Sequence, residues 1–297
     1  MSEIRIAHIS DVHFSKFCFS PLQFFSKRWL GSANLLLKRG RLYINEKVKM
    51  LPDFLKNQGV TDLLITGDLT TTSQKSEYQL ARIFIDEVKK RGIHTFLIPG
   101  NHDHYTRFSD RTRRFYHYFK NDFPTQQRHR FSLEKDKVAA FEFKEGFWII
   151  ALDTTLSTSL FLSNGKYSPE IDEKLKKVLA DVPKDAKIIL LNHFPFFAND
   201  KKKRNMEGGD LLEKRIRGDL RIQLYLHGHT HRQICADLRS NHLPIILDPG
   251  SISKLHNGSW NLLTLSKTQL LVQTFTSKER SPASWLLDRS ASFELMV

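Results

Sequence analysis

Short apolar runs recur along the chain at Ile4 to Ile9, Leu63 to Thr66, Thr95 to Ile98, Phe147 to Leu152, Ile188 to Leu191 and Ile222 to Leu226. Each has the length of one buried strand. Between several of them the apolar positions change to a 3.6-residue period. In Glu77 to Arg91, Leu80, Phe84, Ile85 and Val88 share one helical face, and Gly92 stops the helix. Ser168-Pro169-Glu170 opens another helix, with Ser suited to the N-cap and Pro to the first turn. Strands alternating with amphipathic helices predict an α/β chain with parallel strands. The last third differs: Ile245 to Leu247, Trp260 to Leu265 and Leu270 to Phe275 are separated by turn residues, which predicts hairpins finishing a second sheet.

One segment breaks this alternation. Val12 to Asn45 contains no Asp or Glu, and sets Lys16, Lys27, Arg28, Lys38, Arg39 and Arg41 beside Phe14, Phe17, Phe19, Phe24, Phe25 and Trp29. A βα connection is normally a few residues long, so this stretch reads as an amphipathic cap inserted at 14–45 in a single domain spanning 1–297. Arg107 to Lys120 repeats the composition, with Arg107, Arg111, Arg113 and Arg114 beside Phe108, Phe115, Tyr116 and Phe119, and marks a second lid segment at 107–121. Its other reading is a surface helix with an aromatic core face.

Composition bounds the partners. The chain has 297 residues, 40% hydrophobic, with a net charge of +14. Such a balance favours an anionic partner: phosphate, nucleic acid or a membrane surface. With only Cys18 and Cys235 a disulfide framework is excluded, and a reducing, cytoplasmic setting is expected. No apolar run approaches the ~20 residues of a spanning helix. The start MSEIRIAHISD has neither the basic nor the apolar region of a secretory leader. Contact with a membrane is therefore expected at its surface, peripheral on the inner face.

Candidate chemistry sits where the strands end. Five runs are followed by Asp11-Val12-His13, Gly67-Asp68, Gly100-Asn101-His102-Asp103, Asn192-His193 and Gly228-His229-Thr230-His231. Open α/β sheets bind ligands at the carboxyl ends of their strands, and carboxylate, amide oxygen and imidazole together suit hard or borderline divalent metals. A D-x-H triplet alone carries little, since this composition produces it roughly once by chance. Convergence of five such ends decides the reading.

In this order the motifs resemble those of the calcineurin-like metallophosphoesterases: D-x-H, G-D, G-N-H-(D/E), a single His, and G-H-x-H. The resemblance spans residue 4 to about 275. It implies an αββα sandwich of two mixed β-sheets flanked by helices, with a dinuclear centre at its rim. It further implies that Asp11, His13, Asp68 and His231 hold one ion and Asp68, Asn101, His193 and His229 the other. Such ion pairs activate water and neutralise charge in phosphoryl displacement. His102 is left to face the substrate, stabilising the transition state or protonating the leaving group, while Asp103 is expected to orient His102 or a metal-binding His. Manganese is the expected pair, with iron and zinc also suited to this donor set.

The stretch after D-x-H, FSKFCFSPLQFFSKRWLGSANLLLKRGRLY, is similar to that of chlamydial-type UDP-2,3-diacylglucosamine pyrophosphatases of lipid A biosynthesis. That likeness implies a lipid-linked nucleotide diphosphate as substrate and an anionic membrane surface as partner, with Phe24, Phe25, Lys27, Arg28, Trp29, Arg107 and Arg111 as substrate contacts. A cyclic-nucleotide or general phosphodiesterase would share every ligand without needing such a cap. A nuclease would exploit the +14 charge through salt-sensitive binding, but the apolar cap disfavours nucleic acid. A non-catalytic scaffold on this fold would lose ligands, and none is missing. The sequence gives no sign of an obligate protein partner.

Overall fold

The computed structural model describes residues 3–16, 45–122, 129–144, 146–158, 162–198, 201–277 and 285–295. Its strands in chain order are β1 (Ile4–Ile9), β2 (Asp62–Ile65), β3 (His94–Leu97), β4 (Val138–Lys144), β5 (Phe147–Leu152), β6 (Lys187–Leu191), β7 (Ile222–Leu226), β8 (Gln233–Asp237), β9 (Ile245–Pro249), β10 (Gly258–Leu265), β11 (Gln269–Ser277) and β12 (Leu286–Glu294). The helices are α1 (Asn45–Asn57), α2 (Lys75–Lys90), α3 (Arg107–Arg111), α4 (Arg114–Phe119), α5 (Leu133–Asp136), α6 (Pro169–Asp181) and α7 (Gly209–Arg217). Two six-stranded mixed sheets result, ordered β12-β11-β10-β1-β2-β3 and β4-β5-β6-β7-β9-β8.

The period-2 geometry of strands explains the layering. In β5 and β6, Ile150, Leu152, Ile188 and Leu190 form one cluster with Ile171, Leu175 and Val178 of α6 and Leu212 and Ile216 of α7. Their neighbours Ile149, Ala151, Ile189 and Leu191 join instead the cluster containing the first sheet, with Val48, Leu51 and Leu55 of α1 and Tyr78, Phe84 and Ile85 of α2. One face of the second sheet thus meets its own helices and the other meets the first sheet, the expected αββα sandwich. Each fully buried Leu or Ile contributes about 1.5–3 kcal/mol. The α6 start follows its sequence signal: the Ser168 side chain accepts from the Ile171 N–H, with Pro169 opening the helix.

Three expectations change. The C-terminal hairpins complete the first sheet rather than the second, because β10 pairs antiparallel with β1, Ala7 opposite Leu262. Only Ile245–Pro249 enters the second sheet, beside β7. Apolar periodicity specifies strands and faces but not which edge a returning strand joins. The strands absent from the apolar-run reading, β4, β8 and β12, all lie at sheet edges. Edges carry one ladder and face water, so β12 reads as almost wholly exposed.

The 107–121 segment is also not one helix. Arg113 at φ 47° separates α3 from α4. Phe115, Tyr116 and Phe119 are core residues, leaving their faces unavailable to acyl chains, while Arg107 and Arg111 are exposed. Most of the expected cap, residues 17–44, lies outside the described residues, and with it Phe24, Phe25, Lys27, Arg28 and Trp29.

Candidate metal centre

The five ligand-type strand ends come from β1, β2 and β3 of the first sheet and β6 and β7 of the second. Backbone bonds lace them together before any side chain acts: Asp11 N–H donates to Gly67 O (3.0 Å), His13 N–H to Asp68 O (2.9 Å), and Gly228 N–H to His193 O (3.0 Å). Side chains extend the lacing, with His229 N–H donating to Asp11 Oδ2 (2.9 Å) and His102 N–H to Asp68 Oδ1 (2.7 Å).

The backbone at these ends is strained. Asp11, His13, Asp68, His229 and His231 have φ values of 53°, 50°, 55°, 69° and 55°. The left-handed region costs a side-chain-bearing residue about 1–3 kcal/mol, and such strain collects where surrounding structure enforces a functional geometry. Two glycines make the close approach feasible. A Cβ at Gly100 would collide with Asp68 Oδ1, and one at Gly228 would collide with Ser10 Oγ and sit 2.6 Å from Asp11 Oδ2.

Two groups of side chains result, sharing Asp68. In the first, His13 Nε2 lies 3.1 Å from His231 Nε2, 3.7 Å from Asp11 Oδ1 and 3.8 Å from Asp68 Oδ2. In the second, His193 Nε2 lies 3.5 Å from Asp68 Oδ1 and 3.2 Å from Asn101 Oδ1, while His229 Nδ1 lies 3.0 Å from the same Asn101 oxygen. His102 joins His13 and Asp68 as a triple whose donor atoms lie within 4.8 Å of one another. The seven expected ligands therefore lie close together, and Asp11, Asp68 and His193, which the resemblance divides between two ions, also have donor atoms within 4.8 Å of one another.

The donor chemistry fits divalent cations. His193 Nδ1 faces Thr66 O at 2.7 Å and His229 Nε2 faces Arg204 O at 3.0 Å. A carbonyl can only accept, so each ring donates there and turns its other nitrogen's lone pair inward, the tautomer a metal ligand needs. Burial pushes His193 down in pKa, and burial with the neighbouring His193 lowers His229 to about 3. Both are then neutral imidazoles. Asp11 is fully buried, which opposes ionisation, yet His231 beside it holds its carboxyl well below the usual carboxylate range. Its Oδ1 is 3.0 Å from His231 Nε2 but has no aligned hydrogen-bond donor among the described residues. A buried, ionised oxygen in that position calls for a cation.

Asp103 does not orient an imidazole as expected. Its carboxylate accepts from the N–H groups of Leu69 (3.2 Å), Thr70 (2.9 Å) and Gly100 (3.0 Å) and from Thr70 Oγ1 (3.0 Å). It splices the β2 and β3 loops that carry Asp68 and Asn101, acting through backbone instead. His102 is held otherwise: Nδ1 donates to Thr71 O (2.6 Å), and its ring stacks on Tyr105 with centroids 5.4 Å apart.

Other contributors leave little mark in the sequence. The Thr66, Thr71 and Arg204 groups act through backbone carbonyls, which have no residue-type signal. Asp248, accepting from Thr230 Oγ1 (2.6 Å) and Gly250 N–H (2.8 Å), braces the His229–His231 turn. Its hint was position, two residues before a glycine at the end of a buried apolar run. The Lys201 to Arg204 run lies against His229 through the Arg204 carbonyl.

Comparison with curated protein sequences gives no match. Among solved structures, a dimetal phosphatase from Danio rerio is 13% identical with a TM-score of 0.65, the match covering 99% of each chain. The structure of PhoD is 10% identical with a TM-score of 0.59, covering 99% of this chain and 70% of the other. A purple acid phosphatase from yellow lupin seeds (Lupinus luteus) is 12% identical with a TM-score of 0.54, covering 99% of this chain and 54% of its own. At these identities the likeness shows a shared fold. The family model for calcineurin-like phosphoesterases matches residues 4–233, a span that holds every strand end of the centre, and the chain belongs to that family of metal-dependent hydrolases.

Proposed function

We propose that this phosphoesterase hydrolyses the diphosphate of UDP-2,3-diacylglucosamine, giving UMP and 2,3-diacylglucosamine 1-phosphate, from a peripheral position on the inner face of a membrane. The observation that carries the reaction class is the sharing of Asp68 between two converging donor sets. Support for the lipid nucleotide comes from the basic, aromatic composition of Val12 to Asn45, whose apolar residues suit acyl chains and whose cations suit a diphosphate or anionic headgroups. Among the described residues, no helix is long and apolar enough to cross a membrane.

Asp11, His13, Asp68 and His231 would hold one cation, and Asp68, Asn101, His193 and His229 the other, manganese being our choice. Such a pair supplies Lewis acidity at the phosphoryl oxygens and a nucleophile at neutral pH. Asp68 and Asp11 bring the anionic charge that binds the ions, and Asn101 adds a neutral oxygen, keeping the second set less anionic. His102, with Nδ1 committed to Thr71 O, offers Nε2 to hold a proton for the departing oxygen. Asp103 keeps the two loops in register through Leu69, Thr70 and Gly100.

The manganese-loaded protein is expected to release UMP from UDP-2,3-diacylglucosamine, followed by mass spectrometry. Turnover of cyclic AMP or single-stranded DNA with none of the lipid nucleotide would sink the lipid assignment and favour a general phosphodiesterase or a nuclease. Replacing Phe24, Phe25 and Trp29 together with Ser is expected to weaken vesicle binding and lipid turnover by at least about tenfold, more than hydrolysis of a small soluble diester. Equal loss of both would assign the segment to the structural core.

A further inference from the structure

We infer that the Lys201–Arg204 turn is a subsite for a second phosphate, so that the centre selects diphosphates over substrates with a single phosphate. The inference deepens the proposed reaction and takes from it the location of the reacting phosphorus. It does not depend on the acyl chains.

Four consecutive cations occur here, and all four residues are exposed. Lys202–Arg204 forms a single 3-10 turn. Its place is fixed from both sides. The Arg204 carbonyl accepts from His229 Nε2 at 3.0 Å, while Nδ1 of the same ring lies 3.0 Å from Asn101 Oδ1. The backbone of the turn is therefore one imidazole away from the second donor set. On the far side, Lys203 O accepts from Ser163 N–H (3.1 Å), and Glu207 is bound through its backbone to Gly165 (2.9 Å) and Tyr167 (2.8 Å). Met206 is buried, and Asn192, next to His193, donates to its sulfur at 3.4 Å.

A solvated charge run needs no such anchoring. This one is held by its backbone to a candidate ligand at one end and to the core at the other. The Glu207 carboxylate, three residues after the turn, is engaged by Asn164 Nδ2 at 2.8 Å. A metal pair held here would neutralise charge on the phosphoryl group being attacked. A neighbouring phosphate would bring further negative charge, and ammonium groups are suited to it as point charges. Lys202 and Lys203, both exposed on the turn, are the specificity-determining pair.

Equilibrium binding separates this subsite from the rest of the centre. UDP and UMP differ by one phosphate, and their affinities for the manganese-loaded full-length chain are to be measured by calorimetry. The preference for UDP over UMP is expected to fall about tenfold in the Lys202→Ala/Lys203→Ala variant and to weaken in wild type as salt is raised. The Lys202→Arg/Lys203→Arg variant should retain most of it. An unchanged ratio, or an equal loss for both nucleotides, overturns the inference. Failure of the lipid reading is visible separately, as absent UMP release from the acylated nucleotide while the UDP preference still depends on these lysines.

Discussion

An Asp68→Asn variant should lose at least about 10³-fold in kcat/KM, roughly 4 kcal/mol of transition-state stabilisation, together with at least one of two bound metal ions. The substitution isolates charge from shape. Asn tolerates the left-handed conformation that position 68 adopts at φ 55°, and its amide oxygen can still accept the His102 N–H that Asp68 Oδ1 accepts at 2.7 Å. The amide NH2 would replace Asp68 Oδ2, the atom 3.8 Å from His13 Nε2, turning a donor toward the ions. The unfolding free energy from urea titration should fall by no more than about 1–2 kcal/mol, the range for a buried polar swap that keeps its main partner. His102→Gln supplies the contrast: about 10²-fold or more in kcat with full metal content, as expected for a proton-transfer group. Metal counts by mass spectrometry beside kinetics check both. Full occupancy and more than a tenth of wild-type activity in Asp68→Asn would falsify its bridging role; metal loss in His102→Gln would make that residue a ligand.

The sequence reveals this centre because its chemistry is expressed in residue types. Asp, His and Asn recur at strand ends, where a folded sheet gathers them, so the place of the candidate centre is legible without coordinates. The two layers of core are equally legible, since Ile149 and Ile150 alternate faces by the geometry of the strand itself. What escaped is nonlocal or carried by backbone. Pairing of β1 with β10 joins residues more than 250 positions apart, and nothing local to either strand encodes it. Asp103 has the residue type of an orienting carboxylate, yet three backbone N–H groups satisfy it first. The break at Arg113 is hidden because a left-handed arginine has no composition signal, unlike the glycines.

The metal-free protein should lose several kcal/mol of stability between pH 7 and pH 5. Beneath the centre, His8 and His227 are fully buried. Burial, with the neighbouring His227, lowers His8 from 6.5 to about 3; burial is also the main cause bringing His227 from 6.5 to about 4. His8 Nε2 has Thr66 Oγ1 at 3.0 Å, while its Nδ1 and His227 Nε2 have no hydrogen-bond partner. Because folding depresses both values, the unfolded chain takes up protons first. Stability is complete above about pH 6.5 and drains away as pH falls toward the folded values. At pH 5 each histidine lies about 1.5 units below its unfolded pKa and withdraws about 2 kcal/mol, a large share of the 5–15 kcal/mol typical of a domain. His193 and His229, also lowered by burial, act in the same sense. Asp248 acts against them: burial raises its carboxyl well above the usual range, so its contribution grows as pH falls. It lies 3.5 Å from His227 Nδ1 and offsets part of that histidine's effect, leaving His8 the cleaner probe. His8→Gln removes the titration and keeps a side chain able to reach Thr66. Urea unfolding in chelator should show a smaller difference between pH 7 and pH 5 in this variant, by about 2 kcal/mol. A wild-type protein equally stable at both pH values, or a His8→Gln variant with the wild-type slope, rules out the buried neutral imidazole as the cause. Added manganese should raise stability at pH 7 more than at pH 5, because neutral His193 and His229 are the forms that bind it.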